Sequence, residues 1–455
     1  MEALLQRLSE ALGPQAVLRG EAVRERPVSR LVQTGCEAGA LVRPASTEEL
    51  ALVMRLCHEA GQPVVPRAGM TGLVGGTMVG PGEIALSLER MNRIEEIDPV
   101  SQTMTVQAGT PLQVIQEAAD AHGLLFPLDL GARGSATIGG NIATNAGGNK
   151  VLRYGMTREM VLGLEAVLPD GQVVSSMFKV LKNNTGLDLK QLFIGTEGTL
   201  GVVTRAILRL QPRPRTRQTV LAAFPSFEAV ATVLERMRAG SGGSLSSYEI
   251  MWRDYYLLIT APGRRPAPLS QEHPFYALIE CEGSDEAADD ARFQAVIEPC
   301  LDEGLILDAV VAQSEAERTD LWRIRDDVHY LKTLDPLFVY DVSLPLPAMA
   351  RYVTELRQAL ERRWGRATLI AYGHLGDGNL HIAVSCGDKS AKAEVEALVY
   401  EPLKAFRGSV SAEHGIGLDK KAYLGVTRTE AEIALMRAVK RAIDPTNILN
   451  PGKIC

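Results

Sequence analysis

The nine residues Gly373-His374-Leu375-Gly376-Asp377-Gly378-Asn379-Leu380-His381 leave this chain little choice of local structure. Asp-Gly between alternating apolar residues is a strong hairpin signal, because both central residues of a type I′ turn need a positive φ. With Asp377-Gly378 as a two-residue loop, 376 pairs with 379, 375 with 380 and 374 with 381, so His374 and His381 stand opposite each other on one sheet face. Two imidazoles so placed can grip a divalent cation. Glu413, in the triplet Glu413-His414-Gly415, supplies a carboxylate as third ligand. Three protein ligands leave positions open, as a catalytic metal requires, and His414 is then a base beside the ion. Two hairpin histidines that merely pack are the commoner case. Three of the chain's seven histidines in these two segments, with an adjacent acid, favour the metal.

A chain of 455 residues exceeds what one core normally supports, so two or three domains are expected. An apolar fraction of 46% and a charged fraction of 23% exclude disorder. A net charge of −7 argues against nucleic acid as the partner. The one basic run, Pro212-Arg213-Pro214-Arg215-Thr216-Arg217, holds two prolines between patterned regions and reads as a solvated linker. Six cysteines, at 36, 57, 281, 300, 386 and 455, include no C-x-x-C, which excludes an iron–sulfur cluster or zinc knuckle and fits a reducing compartment. The opening Met1-Glu2-Ala3-Leu4-Leu5-Gln6-Arg7 resembles neither a signal nor a transit peptide. No apolar run approaches the ~20 residues of a membrane span. The expected location is cytoplasmic, with peripheral membrane attachment through a partner as the variant of it.

The residue pattern is mixed α+β. Residues 1–37 read as a helical N-terminal arm. Ser46-Thr47-Glu48-Glu49 is a capping box, the stripe Leu50, Val53, Met54, Cys57 follows, and Gly61 and Pro63 stop the helix. Thr110-Pro111 opens a second helix that Gly123 ends. Short β-rich runs lie at 63–66, 84–88 and 103–106, without Rossmann alternation. After the linker come a strand at 217–224, a helix at 226–239, strands at 244–251 and 275–282, a helix at 285–303 and a strand at 306–311. That order, βαββαβ, is a ferredoxin-like unit. A helix at 314–331, a strand at 337–342, a helix at 348–363, the histidine hairpin and helices at 392–406 and 429–443 complete the chain. The domain boundaries expected are 1–37, 38–212, 213–410 and 411–455.

Three glycine-rich stretches, at 66–82, 130–148 and 195–201, are too rich in glycine for helix or strand interiors. Successive backbone N–H groups in such turns form concavities suited to phosphate oxygens. The first lacks the Lys-Ser/Thr ending of a triphosphate loop. Three such stretches together suggest backbone lying close along an extended, flat, phosphorylated ligand.

On these stretches, on Gly373–His381, on Glu413-His414-Gly415 and on Asn450-Pro451-Gly452-Lys453, the chain resembles the FAD-dependent oxidoreductases of the vanillyl-alcohol oxidase and p-cresol methylhydroxylase type. Within these it is most similar to the D-2-hydroxyacid dehydrogenase branch, which includes D-lactate dehydrogenase, the flavin subunit of glycolate oxidase and D-2-hydroxyglutarate dehydrogenase. The resemblance covers about residues 38–455. It implies an α+β fold: a two-subdomain FAD-binding domain of the p-cresol methylhydroxylase type, a ferredoxin-like substrate domain, and C-terminal helices that complete the active site.

It further implies that 67–76 wraps the FAD pyrophosphate while 129–148 and 195–203 line the adenosine and isoalloxazine. Residue by residue, the FAD contacts so implied are Pro66, Arg67, Ala68, Gly69, Met70, Thr71, Gly72, Gly75 and Gly76; Pro127, Asp129, Leu130, Gly131, Ser135, Thr137, Ile138, Gly139, Gly140, Asn141, Ala143, Thr144, Asn145, Gly147, Gly148, Tyr154 and Gly155; and Glu197, Gly198, Thr199, Gly201, Val202, Val203 and Asn450. The family pattern has three glycines where this chain reads Ala68-Gly69-Met70, so Met70 is a departure. Relatives that bind flavin covalently use a histidine near Thr71 or a cysteine elsewhere in the flavin region. After His58 the flavin region here has only His122, and no cysteine lies between Cys57 and Cys281, so FAD is expected to be non-covalent.

Oxidising a 2-hydroxy acid requires loss of the hydroxyl proton and transfer of the α-hydrogen as hydride. An alkoxide is too basic to form freely at neutral pH, so a cation and a base are needed. His374, His381 and Glu413 as ligands with His414 as base meet that need, and the resemblance implies the same roles. Zinc is the first choice, with manganese or iron as alternatives. The resemblance makes Arg325, in Leu321-Trp322-Arg323-Ile324-Arg325-Asp326-Asp327, the clamp on the substrate carboxylate. By itself that segment reads as a helix-surface arginine paired near Asp326 or Asp327. Asn379 is expected as a further substrate contact, although a turn residue is its ordinary role. Hydroxyglutarate-specific relatives have a lysine where this chain has Val339, before Tyr340-Asp341, so a monocarboxylate such as D-lactate or glycolate is expected. The alternatives are D-2-hydroxyglutarate itself, an enzyme like the flavin-dependent alkyl-glycerone-phosphate synthases, or a non-catalytic flavin subunit. Bleaching of flavin by a simple D-hydroxy acid separates the hydroxyacid dehydrogenase from the synthase, and turnover of the isolated chain with an artificial dye separates the enzyme from the non-catalytic subunit. The electron acceptor is a quinone, a cytochrome, an electron-transfer flavoprotein, an iron–sulfur subunit or oxygen. A homodimer is the default assembly.

Overall fold

The computed structural model describes residues 1–29 and 35–455, so 30–34 of the N-terminal segment lie outside the described residues. The chain forms two compact units. One comprises Met1–Gly148, Gly155–Arg213 and Glu413–Cys455, the other Asn149–Tyr154 and Pro214–Ala412.

In the first unit the opening segment does not stand off as an arm. Helix Glu2–Leu12 buries Leu4, Leu5, Leu8 and Leu12, a stripe at helical spacing. These residues share one core with Leu50, Val53, Met54 and Cys57 of helix Thr47–Glu59. Ser46 Oγ caps that helix by accepting the Glu49 N–H, and the Glu49 carboxylate returns to the N–H of Ala45, one residue upstream of the motif's usual partner. A four-stranded sheet runs in the order Val17–Leu18, Ala40–Val42, Ile84–Ser87, Val64–Arg67, its last two pairings parallel. A five-stranded antiparallel sheet runs Ile94–Asp98, Thr103–Gln107, Val202–Arg209, Val161–Val167, Val173–Ser176. The C-terminal segment returns to the first sheet. Val64 N–H donates to Ile448 O and Asn450 N–H to Val64 O, each at 2.7 Å.

The second unit holds a seven-stranded sheet. Four of its strands run in the order Asp308–Val311, Thr216–Phe224, Phe275–Gly283, Leu245–Trp252, the ferredoxin-like arrangement expected from βαββαβ. Strands Thr368–His374, Asn379–Ser385 and Phe338–Ser343 extend it from the Leu245–Trp252 edge. Helix Arg253–Ile259 has no counterpart in the sequence expectation. The helix expected at 314–331 is Glu315–Asp326 followed by a 3-10 turn, Val328–Thr333. That expected at 392–406 divides into Lys392–Tyr400 and Leu403–Phe406, with Pro402 between them.

The histidine hairpin forms, with a register two residues away from the expected one. Tyr372, not His374, is the partner of His381, and Ala371 that of Ile382. The cause is the loop: Leu375–Asp377 makes a 3-10 turn closed by Gly378 at φ 84, so four residues turn the chain instead of two. Asp377 Oδ1 accepts the Asn379 N–H at 3.1 Å, capping its own turn. A slip of two preserves the face, so both histidines still share one side of the sheet.

The short segment Asn149–Tyr154 docks into the second unit. Lys150 Nζ lies 2.6 Å from Glu282 Oε1, the Tyr154 hydroxyl donates to Glu282 Oε2 at 2.9 Å, and the Asn149 carbonyl accepts from Ser247 Oγ. Arg217 joins this group at 3.4 Å from Glu282 Oε1, so the end of the basic run is not the solvated linker expected of it. Among the described residues no helix is long and apolar enough to cross a membrane.

Candidate active site

In the first unit the glycine stretches come together through backbone. Gly69 passes so close to the second stretch that a Cβ there would lie 1.9 Å from Ser135 O, which only glycine permits. Beside this crossing is a cleft of about 320 Å³ lined by Ser29, Met70, Thr71, Gly131, Gly134 and Ser135, among others. Its small uncharged lining offers backbone and hydroxyl groups to phosphate oxygens. Met70, where the family pattern has glycine, has φ 57. A side chain is therefore held in the left-handed region, at a cost of roughly 1–2 kcal/mol. Asn145, Glu197 and Asn450 are left-handed too, at φ 47, 50 and 45. Buried Asn141 and Asn450 each have an Oδ1 without a hydrogen-bond partner among the described residues. Buried acceptors left this way suit a ligand rich in hydroxyl and N–H donors, and FAD is one.

The third stretch ties the others to the C-terminal segment. Glu197 N–H donates to Ala143 O at 2.7 Å. The Glu197 carboxylate accepts the N–H groups of Ile416 at 2.7 Å and Gly417 at 2.9 Å, immediately after Glu413-His414-Gly415. Burial raises the Glu197 carboxyl above its ordinary pKa, and those two N–H groups offset only part of the rise. Asn450 Nδ2 donates to Glu197 O at 2.7 Å, and Val74 O accepts the Leu418 N–H at 2.9 Å. His414 Nε2 is 3.6 Å from Glu413 Oε1. Arg67, expected at the pyrophosphate, is buried and gives Nη1 to Cys36 Sγ at 3.0 Å and Nη2 to Pro27 O. The other residues expected at FAD belong to the first unit except Tyr154, whose hydroxyl serves Glu282.

In the second unit Arg325 is not a helix-surface residue. It is 4% exposed, its Nε donates to Glu249 Oε2 at 2.8 Å, and its Nη2 is 3.3 Å from His374 Nε2. Its guanidinium sits 5.1 Å over the Tyr372 ring. His374 Nδ1 is 2.9 Å from Glu249 Oε1, so a proton on Nδ1 completes that bond and Nε2 keeps its lone pair. The His374 and His381 rings meet edge to face, with centroids 5.3 Å apart. Burial works against ionisation of Glu249, but its contacts with His374 and Arg325 outweigh that and hold the carboxyl below its ordinary value. Asp341 is the cross-strand partner of His381 and accepts the Ala412 N–H at 3.1 Å, one residue before Glu413. Asn379 is buried, with an Oδ1 that has no partner among the described residues.

Among the described residues, the second unit offers Asp341 beside His381 as metal-ligating side chains, and the first offers Glu413 and His414. The sequence expectation named His374 and His381 in the second unit and did not name Asp341. Both Glu249 and Asp341 escaped that reading, although an acid inside an apolar strand is a signal, since buried carboxylates are kept only with partners. Val339 is 48% exposed and lies two residues from Asp341, hence on the same sheet face. Arg323, two residues from the buried arginine, is on the exposed side and pairs with Asp320 at 2.8 Å.

Residues 213–454 match the family "FAD linked oxidases, C-terminal domain", and residues 38–176 match "FAD binding domain". A D-2-hydroxyglutarate dehydrogenase from Xanthomonas citri pv. viticola is 41% identical over 422 residues, 91% of this chain and 89% of the relative. The mitochondrial D-2-hydroxyglutarate dehydrogenase of Bos taurus is 41% identical over 91% of this chain and 76% of its own length. A Schizosaccharomyces pombe protein provisionally named a mitochondrial D-lactate dehydrogenase is 38% identical over 90% of this chain and 81% of its own length. Among solved structures, p-cresol methylhydroxylase with substrate bound superposes with a TM-score of 0.78 at 17% identity, covering 100% of this chain and 96% of that one. An alkyldihydroxyacetonephosphate synthase gives 0.76 at 18%, covering 100% and 85%. At these identities the structural likeness shows the fold.

Proposed function

The chain belongs to the FAD-linked oxidases and is an FAD-dependent D-2-hydroxyacid dehydrogenase, and we propose that its substrate is a monocarboxylate such as D-lactate or glycolate. The observation that carries this is Val339. A second substrate carboxylate beside it would meet an apolar side chain, and Ala383, its cross-strand partner, belongs to a core against which Tyr330, Leu334 and Leu337 pack. An unpaired carboxylate in such a setting is costly. D-2-Hydroxyglutarate is the second reading, favoured by the names of the 41%-identical relatives.

When bound, FAD supplies the two-electron oxidant and a divalent cation supplies positive charge beside the substrate hydroxyl. His374, His381 and Glu413 are the residues we propose for the cation, zinc first, then manganese or iron. Asp341, fixed to the backbone one residue before Glu413, supports the strand that carries His381. Arg325 grips the substrate carboxylate through its guanidinium fork, already desolvated and oriented by Glu249. His414 takes the hydroxyl proton, and Asn379 offers its buried amide to the substrate. Loop residues of the first unit hold FAD without a covalent bond. The electron acceptor is a quinone, a cytochrome, an electron-transfer flavoprotein or an iron–sulfur subunit, and the working assembly is a cytoplasmic homodimer.

Anaerobic stopped-flow mixing of the oxidised protein with D-lactate, glycolate, their L-counterparts where chiral, and D-2-hydroxyglutarate tests the reading. Rapid bleaching by a D-monoacid is expected. A clear preference for D-2-hydroxyglutarate would replace it with the second reading.

A further inference from the structure

We propose that Glu249 is a positioning residue whose single carboxylate holds Arg325 and His374 in their working orientations. This rests on the reading above, in which those two residues serve the substrate carboxylate and the cation. Oε2 engages Arg325 Nε at 2.8 Å, Oε1 engages His374 Nδ1 at 2.9 Å, and the Glu249 side chain is 1% exposed. The contact is built into the sheet, because Glu249 and His374 are direct cross-strand partners. The arginine is fixed at its main chain as well, since the Tyr255 hydroxyl donates to Arg325 O at 2.6 Å.

The two bonds divide the labour. With Nε committed to Glu249, the end-on pair of Nη groups is the edge left for a two-hydrogen-bond grip on a carboxylate. With Nδ1 facing a carboxylate, the His374 tautomer is set and Nε2 is turned toward Arg325 Nη2, 3.3 Å away, so the same carboxylate orders the histidine and the arginine against each other. One rigid carboxylate therefore sets the angle of both the guanidinium and the imidazole. A glutamine could satisfy only one partner as acceptor, because its amide nitrogen would oppose an N–H at the other. An aspartate keeps the charge on a shorter stem.

The experiment compares full-length, FAD-loaded wild type with Glu249→Gln and Glu249→Asp. Pyruvate binding is read from perturbation of the flavin absorbance, retained metal by elemental analysis after gel filtration, and FAD content and melting temperature alongside. The expected result for Glu249→Gln is pyruvate affinity weaker by about 10–100-fold and metal lost, with FAD still at one per chain. Glu249→Asp should lose less of both. Wild-type pyruvate affinity and metal retention in Glu249→Gln would overturn the proposal. So would a joint fall of pyruvate, metal, FAD and melting temperature in both variants, which marks a core residue and nothing more. If Glu249→Gln does not fold, Glu249→Asp decides alone: weakened pyruvate binding with FAD and melting temperature kept supports the role, and unchanged binding overturns it. A wild type that neither binds pyruvate nor is bleached by any D-2-hydroxy acid would overturn the functional reading, and this role with it.

Discussion

The carboxylate of Glu197 accepts the main-chain N–H of Ile416 at 2.7 Å, joining the third glycine stretch to the turn that follows His414. With the Gly417 N–H on its other oxygen, the side chain acts as a two-point clamp on the backbone bearing the proposed base. Position, more than charge, is what it supplies.

Glu197→Gln should therefore slow flavin reduction by about 10–100-fold while FAD remains bound, since a displacement near 1 Å is worth about that much. Single-turnover reduction and FAD content check it. The pH dependence has a definite sign. A carboxyl raised by burial favours the fold while protonated, so its contribution is complete below the unfolded value of 4.5 and is lost as pH rises through the higher folded value. Wild type minus Glu197→Gln in melting temperature should fall as pH increases above 4.5.

Glu282 should behave in the opposite way. Burial alone would raise its carboxyl, but Lys150, Tyr154 and Arg217 bring it below 4.5. Its contribution is present above 4.5 and lost as pH falls through the folded value. Thermal melts of Glu282→Gln should lack part of the wild-type acid sensitivity. Lys150→Met should destabilise by about 1–3 kcal/mol, measured by denaturant unfolding, since it removes one partner of a fully buried acid.

Chelation or His381→Ala should abolish turnover and leave FAD in place, because the flavin stretches belong to the other unit. His414→Ala should slow flavin reduction without loss of metal, whereas Glu413→Ala should lose both. Elemental analysis beside single-turnover kinetics separates the three, and full activity in a verified metal-free sample would remove the metal assignment.

D-Lactate or glycolate should reduce the flavin on the order of 10²-fold better in kcat/KM than D-2-hydroxyglutarate. Val339→Lys should narrow that gap. A wild type that prefers the diacid would point to another cation, Lys332 or Arg323, as the partner of the distal carboxylate.

Acid precipitation of the purified protein should leave the yellow colour in the supernatant. Colour in the pellet would contradict non-covalent FAD.

Much of the fold was legible because it is local. The Ser46 cap, the βαββαβ order and the turn at Gly378 follow from φ preferences and from periods of two and 3.6, which a short window of sequence contains. The glycine stretches announced a close backbone approach, although not that Gly69 would meet Ser135. Misreadings arose where a partner far along the chain decided the outcome. Without the resemblance, the Arg325 segment reads as surface helix beside Asp326 and Asp327, and the residue is buried because Glu249, 76 positions earlier, neutralises it. The opening segment read as an arm, and Leu4, Leu5, Leu8 and Leu12 of its helix lie in the core because helix Thr47–Glu59 covers them.

The sequence by itself determined which residue types the proposed chemistry can draw on: the paired histidines, Glu413, the arginine and the glycines that let backbone approach closely. Only the tertiary structure decided their pairing. It set the hairpin register by a four-residue turn, placed Asp341 against His381, and closed Glu197 onto Ile416 across 219 positions. The reason is physical. Side-chain identity and backbone preference are written residue by residue, whereas burial of a charge becomes tolerable only when chain closure brings its counter-charge or hydrogen-bond donors to it.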